Sequence, residues 1–169
     1  MKLKIPYEQI QYWANRYAYP ISESNLIDQK ESIQKRGYLT KNNLEEICQW
    51  KSPRSAGNMK TNTDDYINEI TRLSFKSKNE RTKIEVLTIL DGVGWPTASV
   101  ILHLFHKDKY PLLDFRALWS LTMVVPNTYN FIYWWDYVLF TRKLSEKYNI
   151  DMRLLDRALW QFSKENQIL

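Results

Sequence analysis

Two of the four glycines in this 169-residue chain lie within three residues of each other, at Gly92 and Gly94. The surrounding segment reads LDGVGWPTASVIL and places the pair between two apolar segments with helical spacing. Glycine enters backbone regions of positive φ at little cost, so the pair allows a very tight turn between two helices. Pro96 fits the first turn of the second helix, where backbone N–H groups have no intrahelical partner. The segment therefore predicts two helices joined by a sharp corner, with Val93 plugged into the core.

A corner of this kind can bind an anion. The small residues Thr97, Ala98 and Ser99 follow it, so the second helix can lie close to the first. Backbone N–H groups at the corner then point outward beside the positive end of a helix, an arrangement that binds phosphate. Because main-chain amides position a strand without reading its bases, such binding is independent of nucleic-acid sequence. On the corner alone, an ordinary turn between packed helices is an equally good interpretation.

Helical periodicity of apolar residues continues through almost the whole chain. Gly37 is suited to a left-handed C-cap, and polar residues suited to N-caps recur, such as Thr40, Asn79 and Asp151. The predicted helices span about 6–19, 24–36, 43–50, 64–75, 80–89, 95–105, 115–122, 130–148 and 152–164. No segment has the pattern of a strand and no linker separates independent domains. We therefore predict an all-α protein made of one domain.

Composition and charge narrow the classes of function. The net charge is +5 and the sequence pI is about 9.2, which favours a polyanionic partner. Cys48 is the one cysteine, which excludes an internal disulfide framework, a four-cysteine zinc site and a cysteine-ligated iron–sulfur cluster. Its apolar neighbours predict a core position. No apolar run is long enough for a membrane span and the N-terminus lacks a signal-peptide pattern, so we expect an intracellular, cytoplasmic protein without membrane contact, nucleoid-associated if bacterial.

The segment LDGVGWPTASVIL, followed by HLFHKDKYPLLDFRALWSL, resembles the helix-hairpin-helix DNA glycosylase superfamily, which includes endonuclease III and the adenine glycosylases. The matching motif combines the glycine pair, the Thr-Ala dipeptide and a correctly spaced Pro-x-x-Asp, and covers about 32 residues, 90–121. The resemblance implies a two-lobed helical bundle with a helix-hairpin-helix motif at 90–102 and a cleft between the lobes. One lobe is expected at about 40–125, and the other at about 1–38 with 128–169.

The resemblance also implies roles for individual residues. Asp114 matches the catalytic carboxylate, which would stabilise positive charge on the sugar while the glycosidic bond breaks. A plain helix N-cap remains the alternative for this residue. Gly92, Val93 and Gly94 would bind the DNA backbone, joined by Thr97 at the start of the second helix. Bifunctional members carry a lysine where this chain has Pro96, so the resemblance implies a monofunctional enzyme that leaves an abasic site.

A second group of candidate contacts lies in the segment 50–55, WKSPRS, which leads from a predicted helix into a loop predicted for 51–58 from its Pro, Gly, Ser and Asn residues. By the same resemblance this segment approaches the DNA, with Trp50 in the base pocket and Lys51 and Arg54 on phosphates. Core packing of Trp50 and solvent exposure of the two cations are the alternatives. His103 and His106 have too few companions for a metal site, and we expect no metal or other cofactor.

These expectations combine into one functional hypothesis, a monomeric DNA base-excision glycosylase that acts on double-stranded DNA without an iron–sulfur cluster. The segment SESNLIDQKESIQKRG departs from the family pattern, because it does not match the glutamine-containing segment with which family members wedge into the DNA stack. The alternative hypothesis is a non-catalytic helix-hairpin-helix DNA-binding module or partner subunit, in which Asp114 only caps a helix.

Overall fold

The structure is a computed structural model that describes residues 1–168. Within this range the chain is 67% helical and contains ten α-helices and no strand, which confirms the predicted all-α class. The chain divides into two compact units. The central unit comprises Tyr19–Asp108, and the terminal unit comprises Met1–Ala18 together with the chain from Lys109 onward. No helix among residues 1–168 is both long and apolar enough to cross a bilayer.

The central unit contains six α-helices and two 3₁₀ helices. Its α-helices are α2 (Ile21–Asp28), α3 (Lys30–Arg36), α4 (Lys41–Lys51), α5 (Asp64–Lys76), α6 (Glu80–Glu85) and α7 (Trp95–Phe105), and its 3₁₀ helices are Ala56–Thr61 and Val86–Ile89. Helix α7 is the buried centre of this unit and packs against α3, α4 and α6. Eight of its eleven residues are buried, as expected for a helix enclosed by others.

The terminal unit is built from both ends of the chain. It contains the 3₁₀ helix Tyr7–Gln9, α1 (Ile10–Asn15), α8 (Phe115–Ser120), α9 (Phe131–Lys147) and α10 (Met152–Asn166). Helix α10 packs against α1, α8 and α9, so it organises the unit. The fully buried side chains of Trp134, Tyr137 and Leu155 lie at its centre.

Helix ends follow the capping residues in the sequence. Thr40 and Asn43 form a capping box at α4, and Gly37 ends α3 in the left-handed conformation with φ 78°. Side chains of five further residues accept a backbone N–H at the start of a helix: Thr63, Asn79, Asp114, Asn130 and Asp151. The predicted caps are therefore confirmed.

Some element bounds differ from those predicted. The segment expected as one helix, 24–36, forms α2 and α3, which meet at Gln29. Pro20 precedes α2 as its N-cap. The expected loop 51–58 contains the start of the 3₁₀ helix Ala56–Thr61. The units also divide the chain at other points than the expected lobes, because α2 packs on α4 and α3 on α7, while α8 packs on α10.

Candidate nucleic-acid interface

The predicted corner is present in the central unit, where Leu90–Gly94 joins the 3₁₀ helix Val86–Ile89 to α7. We call these five residues the glycine corner. Gly92 has φ 80°, in the left-handed region that favours glycine, whereas Gly94 is extended with φ −86° and ψ 177°. Val93 is 4% exposed, as expected for a plug into the core, and its N–H donates to the Leu90 carbonyl at 3.0 Å.

The two glycines meet different steric environments. A Cβ atom at Gly92 would lie 2.8 Å from the backbone nitrogen of Met59, which is closer than real Cβ contacts allow. A Cβ atom at Gly94 would meet nothing nearer than Pro96 Cδ at 3.8 Å, an ordinary van der Waals distance. The fold therefore requires glycine at position 92 for two reasons, while position 94 has room for a larger residue in the protein alone.

Asn62 fixes the glycine corner to the 3₁₀ helix beside it. Its Oδ1 accepts from the Asp91 N–H at 3.1 Å, and its Nδ2 donates to the Asp91 carbonyl at 3.0 Å and to the Met59 carbonyl at 2.9 Å. Thr61 adds a hydroxyl bond to Asp91 Oδ2 at 2.7 Å. Sequence reasoning missed these residues, and only the polar run 60–65 after the expected loop hinted that the segment was structured.

Two amides of the glycine corner are available to a ligand. Within residues 1–168, the N–H groups of Gly92 and Gly94 donate to no acceptor, whereas that of Val93 is used inside the turn. Helix α7 begins at Trp95 without a side-chain cap, and its first backbone bond runs from Ala98 N–H to Gly94 O at 2.9 Å. These donors lie at the positive end of an eleven-residue helix.

An open depression of about 370 Å³ lies over the glycine corner. All five corner residues line it, together with Ser55, Thr88 and Ile89. The arrangement of unpaired amides, a helix N-terminus and an open surface is suited to a phosphate group. Asp91 stands in the same lining, and its carboxylate is held by Thr61.

The last turn of α4 and the residues that follow it supply the other predicted contacts. Trp50 and Lys51 occupy the last turn of α4, so Lys51 belongs to a helix and not to the expected loop. Trp50 is partly buried and Arg54 is exposed in the turn that follows. Thr97 is 1% exposed, and its hydroxyl lies 3.2 Å from the Ser52 hydroxyl. The side chain of Thr97 therefore joins α7 to the end of α4 and is not on the surface.

Cys48 lies beneath the glycine corner. Its side chain is buried, which confirms the predicted core position, and its Sγ is 4.0 Å from the Gly92 carbonyl oxygen. Burial and the nearby Glu45 carboxylate raise the pKa of the Cys48 thiol to about 11. The thiol is therefore a packing group at neutral pH.

Asp114 belongs to the terminal unit, where it is the N-cap of α8. Its Oδ1 accepts from the Arg116 N–H at 3.0 Å, and the residue is partly exposed. The phenols of Tyr129 and Tyr137 lie within its electrostatic reach. Burial first, and then the Asp114 charge, raises the pKa of Tyr129, whereas burial, the Asp156 charge and then the Asp114 charge raise the pKa of Tyr137. Tyr137 donates to the Leu112 carbonyl at 2.9 Å, so it also holds the backbone that leads into Asp114. Sequence reasoning did not single out Tyr129.

His106 acts as a hydrogen-bond acceptor within the central unit. His106 is buried, and its Nδ1 accepts from the Asp108 N–H at 3.0 Å. Among residues 1–168, no three His, Cys, Asp or Glu side chains come together in a way that could hold a metal ion.

Comparison with known proteins adds no relative to this description. No family model, no curated protein and no solved structure matches the chain. The functional argument therefore depends on the glycine corner, on Asp114 and on the sequence motif that contains both.

Proposed function

We propose that this protein is a monofunctional DNA base-excision glycosylase, which cleaves the N-glycosidic bond of a damaged or mispaired base in double-stranded DNA. The observation that carries the proposal is the glycine corner, whose two free amides lie at the uncapped N-terminus of α7. The motif that continues from this corner to Asp114 supplies the chemistry. Lys51, Arg54 and the exposed part of Trp50 are the proposed additional contacts of the central unit.

The proposed role of the glycine corner is to hold a DNA phosphate. The amides of Gly92 and Gly94 are the donors, since the Val93 amide already bonds to Leu90. The protein has room for a Cβ at position 94, yet the chain carries glycine there. An approaching phosphate explains this choice, because a side chain beside the amide would keep the backbone away from it.

The proposed role of Asp114 is to stabilise the positive charge that develops on the sugar and to orient the attacking water. Pro96 has no amine and cannot form a Schiff base, so the expected product is an intact strand with an abasic site.

The phosphate contact is tested by comparing Gly94→Ala with Gly92→Ala. Gly94→Ala should cost at most about 1 kcal/mol of unfolding free energy, as at other N-caps, and should weaken duplex binding by about tenfold or more through a lost charged hydrogen bond. Gly92→Ala should lose more than about 2 kcal/mol, because it adds left-handed strain to a backbone clash. Normal duplex affinity in a folded Gly94→Ala protein would refute the phosphate contact.

The catalytic role is tested with duplexes that carry uracil, mispaired adenine, or alkylated or oxidised bases. The protein should produce alkali-sensitive sites in at least one duplex. Asp114→Asn should lower the rate at which they form by a factor of about 10² or more and leave the affinity for the duplex unchanged. Strand breaks that appear without alkali would show lyase activity and contradict a monofunctional enzyme.

A non-catalytic DNA-binding module is the second candidate. The observation that favours it is the capping bond of Asp114, which already gives this carboxylate a structural task. Salt-sensitive duplex binding without alkali-sensitive sites in any of the duplexes would favour the module over the enzyme.

A further inference from the structure

The terminal unit carries a series of partly exposed aromatic rings that the proposed function does not use. We call the six residues Trp13, Tyr17, Phe115, Trp119, Trp160 and Phe162 the aromatic strip. Phe162 is central: its ring centroid lies 5.2 Å from that of Trp13 and 5.9 Å from that of Trp119. Tyr17 and Trp160 form a second edge-to-face pair at 5.2 Å. Phe115 is linked to the second pair through Arg116, whose Cζ is 5.1 Å from the Phe115 centroid and 5.6 Å from the Trp160 centroid. The strip therefore consists of two ring groups, contributed by α1 and the residues just after it, by α8 and by α10.

These rings are not a closed core. Phe115 is 42% exposed, and the other five have intermediate exposure. By contrast, the rings of Trp134 and Tyr137 in the same unit are fully buried. Part of the aromatic surface of these residues therefore faces solvent.

Three cations lie over the indole rings of the strip. Lys4 Nζ is 3.2 Å from the Trp119 centroid, while Lys164 Nζ is 5.1 Å and Arg116 Cζ is 5.6 Å from the Trp160 centroid. None of the three forms an ion pair with a carboxylate among residues 1–168. The Nη1 of Arg116 is also buried without a hydrogen-bond acceptor.

Nearby carboxylates are committed to other arginines. Glu165 binds Arg16 through two hydrogen bonds, at 2.8 and 2.9 Å, and Asp156 binds Arg153 at 3.1 Å. Hydrogen bonds from Arg16 and Gln161, and last the Lys164 charge, lower the pKa of the Glu165 carboxyl, so Lys164 shares this carboxylate with Arg16. Lys4 and Arg116 form no ion pair among residues 1–168. A partner that brings negative charge and flat rings together would complement the cations and the aromatic strip.

We propose that the aromatic strip binds single-stranded nucleic acid, with unpaired bases stacked on its rings and phosphates on Lys4, Arg116 and Lys164. Single strands expose base faces that a duplex keeps stacked, and stacking on aromatic side chains tolerates any base. The strip and its cations all lie in the terminal unit, to which the glycine corner does not belong. Phe115 and Arg116 directly follow the proposed catalytic residue Asp114 in the chain.

Fluorescence anisotropy tests the proposed class of ligand with four labelled probes, each twelve nucleotides or spacers long. The probes are oligo-dT, oligo-rU, an abasic-spacer strand with the same phosphates, and a duplex. Oligo-dT should bind about tenfold more tightly than the abasic strand, because only the former can stack. Comparison of oligo-dT with oligo-rU tells which sugar the strip prefers. Equal affinity for oligo-dT and the abasic strand would overturn the proposal and indicate charge attraction alone.

Paired lysine variants test the location. Lys4→Gln/Lys164→Gln should weaken oligo-dT binding about tenfold at low salt and reduce the salt slope of log K by about 1.4, as expected for two single-strand phosphate contacts. The matched control is Lys143→Gln/Lys147→Gln, which removes the same charge from exposed positions of α9, where Lys147 lies 5.0 Å from the Tyr148 ring. Equal losses in the two pairs would overturn the proposal.

Two further variants separate stacking from folding and from the glycine corner. Trp160→Leu should weaken oligo-dT binding about tenfold and leave abasic-strand binding unchanged. Gly94→Ala should leave oligo-dT binding unchanged, even where it abolishes duplex binding. The exposed lysines carry the test if the tryptophan variant does not fold, and a loss of oligo-dT affinity in Gly94→Ala would overturn the assignment to the strip.

Discussion

At the scale of single residues, the Met59 amide nitrogen decides what can stand at position 92. A side chain there would collide with backbone, which cannot turn aside as a flexible side chain can. Asn62 then holds the same segment by bonding to both polar groups of the Asp91 backbone. The shape of the glycine corner therefore depends on a few atoms of the 3₁₀ helix Ala56–Thr61 and of Asn62, which follows it.

Asn62→Ala should cost about 2–3 kcal/mol of unfolding free energy, because it leaves buried backbone groups without partners. Denaturant titration measures this loss. Asn58→Ala is the matched control, because Asn58 lies in the 3₁₀ helix Ala56–Thr61 that Asn62 follows and has an exposed side chain. This substitution should change stability by less than about 0.5 kcal/mol. Equal effects of the two substitutions would show that Asn62 does not brace the corner.

Cys48 provides a reporter of opening at the same place. With a thiol pKa of about 11, roughly 10⁻³ of the side chain is thiolate at pH 8, and burial blocks the reagent as well. A disulfide reagent should therefore label the folded protein at least about 10³-fold more slowly than the unfolded chain. Gly92→Ala should accelerate labelling, and rapid labelling of the native protein would contradict the buried position.

At the scale of elements, the short helices depend on their ends. Helix α8 has only six residues, so the side-chain bond from Asp114 satisfies a large share of its first turn. Such a helix gains little from propensity and most from its cap and its packing against α10. Asp114, the residue proposed for catalysis, therefore also stabilises the helix that it begins.

Capping and catalysis at position 114 can be separated by substitution. Asp114→Asn keeps an acceptor and should retain stability within about 0.5 kcal/mol, whereas Asp114→Ala should lose about 1 kcal/mol. Thermal unfolding of the two variants, measured beside base release, tells the roles apart. An Asn variant that loses as much stability as the Ala variant would show that the charge itself holds α8.

The elements that sequence predicts well are those fixed by local chemistry. Gly37, Thr40 and Asn79 act at helix ends as their side chains or backbone freedom dictate. The break between α2 and α3 has a non-local cause, since Gln29 donates to Glu46 at 2.6 Å and accepts from Asn43 at 2.6 Å. No helical periodicity records such contacts.

The candidate site shows the same division between local and distant information. The motif predicts the glycine corner and the cap at Asp114, because both are set by neighbours along the chain. It does not predict the brace from Asn62 or the position of Tyr129, which come from residues about 30 and 15 positions away. The catalytic assignment of Asp114 stays a prediction.

At the scale of the whole molecule, the two units use charge in different ways. The central unit buries Lys83 between Glu80 and Asp108, with N···O distances of 3.2 and 3.1 Å, close to the buried ring of His106. The terminal unit has the ion pairs Arg16–Glu165 and Arg153–Asp156, and it also holds cations such as Lys4 over aromatic rings. In the central unit, acid must protonate the buried His106 close to the Lys83 charge. We therefore expect acid to destabilise this unit.

His106 supplies a prediction for the pH dependence of stability. Burial first, and then the Lys83 charge, lowers the pKa of His106 below its ordinary value of 6.5. Below about pH 6.5 the unfolded chain binds this proton and the folded protein does not. The free energy of unfolding therefore decreases as the pH is lowered, by at most about 1.4 kcal/mol per pH unit.

Denaturant titrations between pH 7.5 and pH 5.5 measure this dependence. His106→Asn keeps an acceptor for the Asp108 N–H and should remove most of the decline. A wild-type stability that is constant over this interval, or a variant that retains the full decline, would contradict the assignment to His106.

The unequal surroundings of the two glycines have a consequence for natural variation. Descendants of this chain that replace Gly92 lose their shape, and selection removes them whatever the protein does. Descendants that replace Gly94 keep the fold and lose only the binding of a ligand at the glycine corner. Among orthologous sequences, conservation of glycine at position 92 would therefore report selection for the fold. Conservation of glycine at position 94 would report selection for ligand binding.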